Sequence, residues 1–318
     1  MIYDIIFIGD RMKKFFQFIL FLIIIVVMYL YRTPIFNFVY QNFIMNKEVI
    51  VEDSNQYVSK QSFSFVKDVD DFSPKNKQDL MNILYTTINR GWKEFTFFCD
   101  NDYKRCKKDI TSIAGDQELL SNINNYVHPF NSYKSIAIGV DYFGKITVKI
   151  NPVYTDFEIN KINQKVDSII NKIITPGMDN RKKIKVIHDY IIDHTKYDQS
   201  KETYQDANGN VFYKNKTNTA YGPLFNGLSL CGGYTDLMGI FLTKINIPNF
   251  RISSDNHIWN AVYIDYSWKH LDLTWDDPIV STGENIITYE FFLISTTQLK
   301  KLDQKQHNYE EKIYPEVK

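Results

Sequence analysis

An α+β fold behind an N-terminal transmembrane helix is what this sequence predicts, and three observations predict it. Residues Phe15 to Tyr31 are apolar except for Gln17. Residues 71–175 mix helical and strand periodicities in pieces short enough for a small α+β domain. Residues 176–318 open on helical patterns and end on two period-two runs joined by a tight polar break, an antiparallel hairpin.

The apolar run is roughly 17 residues long, near the short end of the ~17–25 that span a bilayer as a helix. Arg11, Lys13 and Lys14 precede it, and after Arg32 no further positive residue occurs until Lys47. The positive-inside rule therefore places the N-terminus in the cytoplasm and the rest of the chain outside, a single-pass topology at the cell membrane. Tyr29, Leu30, Tyr31 and Arg32 stand where a small-x-small cleavage site would be needed, so a signal anchor is expected rather than a cleaved signal peptide. Met12, followed by two lysines, is a more natural start than Met1. Residues 1–34 are thus read as anchor and 35–70 as a stalk, its part from Asn46 to Lys60 polar and mobile.

The chain has 318 residues, 44% of them hydrophobic, enough for a sizeable core. Lys plus Arg equals Asp plus Glu at 37 each, so no electrostatic footprint for nucleic acid exists. The KRCKK cluster at 104–108 reads as a solvated face. No carboxylate cluster has calcium-loop spacing, and no metal or cofactor is implied. Among the cysteines, the gap from Cys99 to Cys106 fits no common zinc spacing. The two are read as unlinked, with pairing in an oxidising compartment as the alternative. That alternative leaves Cys231 as the odd thiol.

From residue 71 the pattern sharpens. Ser73 before Pro74 is the expected cap of a helix carrying Leu80, Ile83, Leu84, Thr87 and Ile88 and ending near Gly91. Glu94 to Cys99 reads as a strand, Ile110 to Tyr126 as partly helical, and Ser135 to Ile150 as two strands turning at Phe143-Gly144. Asp156 to Ile174 is a helix with an isoleucine-rich stripe. Pro176-Gly177 then breaks the chain, and residues 176–318 form a second domain. Asp179 or Asn180 caps a helix over Arg181 to His194, in which His188 and His194 read as structural. The loop from Asp198 to Thr219, with Asn208-Gly209 as a turn, is either a substrate wall or lid or a surface excursion without a role.

Three residues beyond it suit a nucleophilic relay. Cys231 precedes a helical pattern (Tyr234, Leu237, Met238, Phe241, Leu242), so it lies at a helix start, where free N–H groups and the dipole favour a thiolate. Gly232 and Gly233 keep side chains away from the sulfur and let a substrate backbone approach. His257 opens one strand. A second strand, Trp268 to Thr274, carries Asp272. An even-length connection puts His257 and Asp272 on one face, and an odd one separates them. On a shared face Asp272 orients the imidazole as base for Cys231. Taken singly, a cysteine at a helix start is more often buried and inert. The combination is far more specific.

The segments Gly227 to Tyr234 (G-x-x-x-C-x-G-Y), His257 to Asn260 (H-x-W-N) and Asp272 to Pro278 (D-x-T-W-D-D-P) resemble the transglutaminase-like superfamily. This is the papain-fold group of transglutaminases and bacterial cysteine peptidase relatives. The resemblance covers roughly residues 179–307, the relatives ending near a histidine comparable to His307. It implies a papain-like domain with Cys231 as nucleophile, His257 as general base and acid, and Asp272 as orienter. Two departures stand out. Gly232 occupies a position where bacterial relatives often have Gln. No Trp lies between Trp92 and Trp259 to support an oxyanion as in animal transglutaminases, and Tyr221 is the nearest candidate for that role.

The expectation is therefore a membrane-anchored cysteine enzyme that attacks peptide or side-chain amides through a thioester, with hydrolysis favoured over cross-linking. Its partners would be peptide or protein substrates, with cell-wall or cell-surface peptides suggested by topology, the membrane, and no nucleic acid. The rivals are a non-catalytic binding or scaffold module that keeps the fold, and arylamine acyl transfer, which the H-x-W-N and T-W-D-D-P segments fit poorly.

Overall fold

The computed structural model describes residues 2–39, 49–205, 211–280, 286–303 and 305–318. The chain divides into two compact units, Met1–Glu48 and Val49–Lys318. The first holds helices α1 (Ile2–Leu30) and α2 (Arg32–Val39). Within α1, the 19 residues Met12–Leu30 are long and apolar enough to cross a membrane, and none of them is buried against protein. At 1.5 Å per residue they rise about 28 Å, close to the ~30 Å hydrocarbon core.

The second unit begins well before residue 71. Phe63 and Val66 are buried in the core. The Lys67 and Val69 N–H groups donate to the Asn82 and Thr86 side chains at 3.2 and 2.9 Å. Arg90 pairs with Asp68 and Asp70 at 2.8 and 2.6 Å. Residues 49–70 are therefore a strap over a helix rather than a stalk. Their backbone bonds go to scattered partners, the Arg90 carbonyl and a bridge to Thr96 as well as side chains, which leaves no periodicity to read. The boundary expected near residue 175 falls inside this unit.

In chain order, helix α3 (Lys77–Asn89) leads to strand β1 (Glu94–Phe98), then α4 (Cys106–Gly115) and α5 (Gln117–Asn124). Strands β2 (Tyr133–Val140) and β3 (Lys145–Pro152) follow as the expected hairpin, then α6 (Asp156–Ile173) and α7 (Asn180–Asp193). The expected cap Ser73 is replaced by Asn76, whose side chain accepts from the Asp79 N–H at 3.0 Å. Ser73 is instead held in a local turn by Asp71. Strand β3 is central in an antiparallel sheet of order β1-β3-β2.

Short strands β4 (Lys196–Tyr197), β5 (Thr203–Gln205), β6 (Val211–Tyr213) and β7 (Leu228–Ser229) come next, with β4 parallel to β7 and β5 antiparallel to β6. The expected Asn208-Gly209 turn lies outside the described residues. Helix α8 (Cys231–Lys244) is followed by an antiparallel sheet of β8 (Asn249–Ser253), β9 (Ile258–Ile264) and β10 (Ser267–Leu271), with β9 central. Helices α9 (Leu273–Asp276) and α10 (Thr296–Leu302) complete the chain. The second strand of the hairpin stops at Leu271 rather than Thr274, because Asp272 caps α9.

One core cluster joins Phe95, Phe97, Ile146 and Val148 of the first sheet to Phe250, Ile252, Trp259 and Ala261 of the second. Cys99 and Cys106 form a disulfide, which corrects the unlinked reading. The bond clamps the end of β1 to the start of α4. The sequence separation of 7 closes a small loop, worth about 2–3 kcal/mol in the loop-entropy account. Replacing both cysteines by serine should lower the unfolding free energy of the purified chain by that amount in denaturant titrations. An unchanged midpoint would show that the bond does not constrain the fold.

Candidate active site

Cys231 opens α8 behind Leu230, an extended residue that offers no side-chain cap. The preceding chain is fixed by the β4–β7 pairing and by the Leu230 N–H donating to the Thr217 carbonyl at 2.7 Å. Gly227 takes the left-handed conformation at φ 64° that lets the chain enter this turn. The bareness of Gly233 serves the fold directly, since a Cβ there would stand 2.4 Å from the Thr217 carbonyl oxygen. At Gly232 the nearest atom would be the Asn218 carbonyl oxygen at 3.0 Å. The segment 217–219 therefore packs where substrate contact was expected.

The helix start is tied to the hairpin by the motif residues themselves. Thr235 donates its hydroxyl to the carbonyls of Cys231 and Ile258 at 2.8 and 2.9 Å. Asn260 Nδ2 donates to the Thr235 carbonyl at 3.0 Å. The backbone carbonyls of Cys231 and of the residue after His257 thus share one bridging side chain. Trp259 is fully buried, with its ring 5.6 Å from that of His257 and nearly parallel to it. Its indole N–H donates to His270 Nδ1 at 3.0 Å. Burial pushes the His270 pKa down to about 3, so its neutral ring accepts there.

The β9–β10 register pairs Ile264 with Ser267 across a two-residue turn, Asp265-Tyr266, both in the left-handed region. An even connection puts His257 and Asp272 on one face. His257 Nε2 lies 2.5 Å from Asp272 Oδ2. Asp272 is 2% exposed and, as cap of α9, also accepts the N–H groups of Thr274 and Trp275 at 2.9 and 3.4 Å. With Nε2 committed, Nδ1 is the remaining ring nitrogen, and the Cys231 side chain contributes to raising the His257 pKa.

Burial pushes the His257 pKa down, but the Asp272 charge and hydrogen bond, aided by Cys231, overcome this and raise it to about 10. Burial likewise pushes the Asp272 carboxyl up, and the His257 and His307 rings bring it well below the usual carboxylate range. The pair is an imidazolium and a carboxylate at neutral pH.

His307 is a partner that residue-level reading did not assign. Its Nε2 lies 2.9 Å from Asp272 Oδ2, and its Nδ1 lies 2.8 Å from Asp303. Only the four-residue spacing of Asp303 and His307 carries a local signal for this. His257, Asp272 and His307 put three donor atoms within 4.8 Å of one another, a set of metal-ligand type. The separations of 2.5 and 2.9 Å are hydrogen-bond lengths. Two ligands of one tetrahedral zinc stand about 3.3 Å apart. A metal would have to open both bonds, so the cluster fits a proton relay better.

The remaining motif residues hold the frame. Asp276 is fully buried and accepts from the Phe291 N–H at 2.9 Å, with His188 Nε2 at 3.1 Å. Asp277 accepts from the Tyr234 hydroxyl. His188 is structural in this sense, and His194 stacks on Tyr190. Tyr221 is engaged elsewhere than at the sulfur, its hydroxyl accepting from Lys161 Nζ at 2.9 Å.

No family model matches the sequence, and no curated protein matches it. Two solved structures are similar to it in fold. One is described as a TGase, at 13% identity and a TM-score of 0.33, covering 57% of this chain and 49% of its own. The other is a candidate cysteine protease from Cytophaga hutchinsonii, at 11% identity and a TM-score of 0.27, covering 48% of this chain and 65% of its own. The chain spans about half of the first structure and under two thirds of the second, and neither likeness bears on what this chain acts on.

The charge of His257 makes stability depend on pH. A folded pKa raised from 6.5 to about 10 gives a contribution fully present below 6.5 and lost as pH rises toward 10. The depressed Asp272 gives a second limb, lost as pH falls below 3.8. Denaturant stability measured from pH 6 to 10 should fall, and Asp272→Asn should flatten that fall. An equal slope in wild type and variant would rule out the pair as its source.

Proposed function

We propose that this chain is a membrane-anchored, transglutaminase-like cysteine enzyme acting on peptide or side-chain amides, with Cys231, His257 and Asp272 in the roles of nucleophile, acid–base and orienter. What supports the reading is the buried Asp272 carboxylate 2.5 Å from His257 Nε2, which together with the Cys231 side chain raises the His257 pKa to about 10. A positive imidazolium beside a sulfur favours its anionic form.

The sulfur adds to the amide carbon and the carbonyl π pair moves to oxygen. In this reading a backbone N–H at the start of α8, that of Gly232, meets the oxyanion, since Tyr221, whose hydroxyl accepts from Lys161, is engaged elsewhere. His257 gives its Nδ1 proton to the nitrogen as the C–N bond breaks, which releases an amine and leaves a thioester. Water then adds to the thioester, His257 takes its proton, and the C–S bond breaks to give the acid and the starting enzyme. Hydrolysis, as peptidase or deamidase, is favoured over cross-linking, following the peptidase-like bacterial members of the family the motifs resemble.

The apolar helix before the second unit supports anchoring, and the positive flank at Arg11, Lys13 and Lys14 supports an extracytoplasmic enzyme domain. The Cys99–Cys106 disulfide favours the same side, since such bonds persist in oxidising compartments. Cell-wall or cell-surface peptides are substrates within reach of that location.

A thiol-reactive amide probe should label Cys231, the cysteine outside the disulfide. Labelling should be lost in Cys231→Ala and strongly reduced in His257→Ala. Asp272→Asn should cut turnover of an amide substrate by about 10³- to 10⁴-fold, as when a triad carboxylate is neutralised. Equal labelling of wild type and His257→Ala would remove the base, and full cellular activity of Cys231→Ala would favour the scaffold reading.

A further inference from the structure

We propose that the open cleft beside the first turn of α8 binds an extended polypeptide segment laid along strand β2, and that this segment carries the amide Cys231 attacks. The second part rests on the cysteine-enzyme reading above. The cleft has a volume of about 960 Å³, the upper end of the range for well-formed ligand pockets. Cys231, His257 and Asp272 do not line it. The connection runs through Asn218 and Thr219, which do. A Cβ on Gly232 would stand 3.0 Å from the Asn218 carbonyl oxygen, and one on Gly233 3.1 Å from that of Thr219. The same short segment therefore forms cleft wall and rests against the sulfur-bearing turn.

Two features select a polypeptide. Among the described residues, strand β2 lies at the edge of its sheet and pairs with β3 alone. Its first residues, Tyr133, Lys134 and Ser135, line the cleft, and the pairing with β3 shifts register between Tyr133 and Ser135. An edge strand presents backbone donors and acceptors at strand spacing, which an extended peptide matches by adding a strand. The walls are also rich in rings that folding does not bury. Phe157 is 73% and Tyr204 53% exposed, and both line the cleft with Phe212 and Tyr221. Such rings give large contact area at low entropy cost.

Charge narrows the choice. Among the described lining residues the cations are Lys134 and Lys216 and the carboxylate is Glu158. Lys216 is paired with Glu158, and Lys134 Nζ sits 5.4 Å from the Phe212 ring centroid. The surplus is positive, so an acidic segment fits better than a basic one. The loop from Asp198 to Thr219, which the sequence left open between substrate wall and idle excursion, supplies Tyr204, Phe212, Asn218 and Thr219.

The test uses the full chain in detergent micelles with Cys231→Ala, so that binding is read without turnover. The probes are fluorescein-labelled peptide pools of about six residues, roughly 20 Å when extended, one rich in Glu and Tyr and one in Lys and Tyr. A labelled N-acetylglucosamine oligosaccharide is the third probe. Anisotropy should show the acidic pool binding at least about tenfold tighter than the basic one, and Phe157→Ser/Tyr204→Ser weakening it by about tenfold. Val211→Glu, an exposed change on the same wall, should weaken it too. Peptide binding unaffected by both sets of changes, or binding of the oligosaccharide alone, overturns the proposal. Iodoacetamide alkylation of Cys231 in the otherwise unchanged chain separates the two readings. If alkylation ignores His257→Ala while the peptide results hold, the enzyme reading fails and the peptide cleft stands.

Discussion

A carboxylate that is 2% exposed survives ionised only if its lone pairs are met, and at Asp272 four donors meet them. Two are imidazoles, at 2.5 and 2.9 Å, and two are the backbone N–H groups of Thr274 and Trp275. Each donor constrains something different. The N–H groups end strand β10 and start α9. The His257 ring is held so that its second nitrogen is left for the sulfur. The His307 ring pins the C-terminal segment against the hairpin. Removing the carboxylate would release all of these at once, so the local fold and the proposed chemistry share one constraint.

Helix α8 is held to that constraint along its length. Thr235 and Asn260 fasten its first turn to β9, and Tyr234 donates to Asp277 beyond α9. The residue after Thr235, Asp236, pairs with Arg251 at 3.0 Å and accepts from the Tyr154 hydroxyl at 2.6 Å. Tyr154 in turn receives the Ala220 N–H at 2.8 Å, and Arg251 donates to the Asn124 carbonyl. The polar groups that the helix buries thus reach both the residues before 175 and the segment that leads into Cys231. In the proposed enzyme, a nucleophile on so braced a turn moves little relative to its base, which is what orientation-dependent catalysis requires.

The hairpin and the pairing of His257 with Asp272 were legible because they depend on local arithmetic. Period-two runs and an even turn fix the face without reference to the rest of the chain. Helices α6 and α7 were legible for the same reason, their isoleucines repeating at helical spacing. The strap at 49–70 was not, since its N–H groups go to scattered partners, the Arg90 carbonyl, the Asn82 and Thr86 side chains and Glu316, and no period results. The end of β10 was misplaced because Asp272 caps α9 as well as orienting His257. The second imidazole on Asp272 comes from 35 positions away, a separation no spacing rule addresses. The disulfide stood only as the alternative to unlinked cysteines because its two cysteines lie on either side of a turn whose geometry the spacing does not fix. Residues 71–175 looked separable because each of their elements is locally complete, and only the packed core shows Phe95 and Trp259 in one cluster.

The state of one imidazole decides the account most directly. Nitrogen NMR of the His257 ring, followed with pH in a Cys231→Ser chain, reads whether both nitrogens carry protons. The account predicts a doubly protonated ring through neutral pH that gives up its proton well above the ordinary 6.5, held there chiefly by the buried Asp272 carboxylate. A ring that is already neutral at pH 7, with a midpoint near the ordinary 6.5, would contradict it.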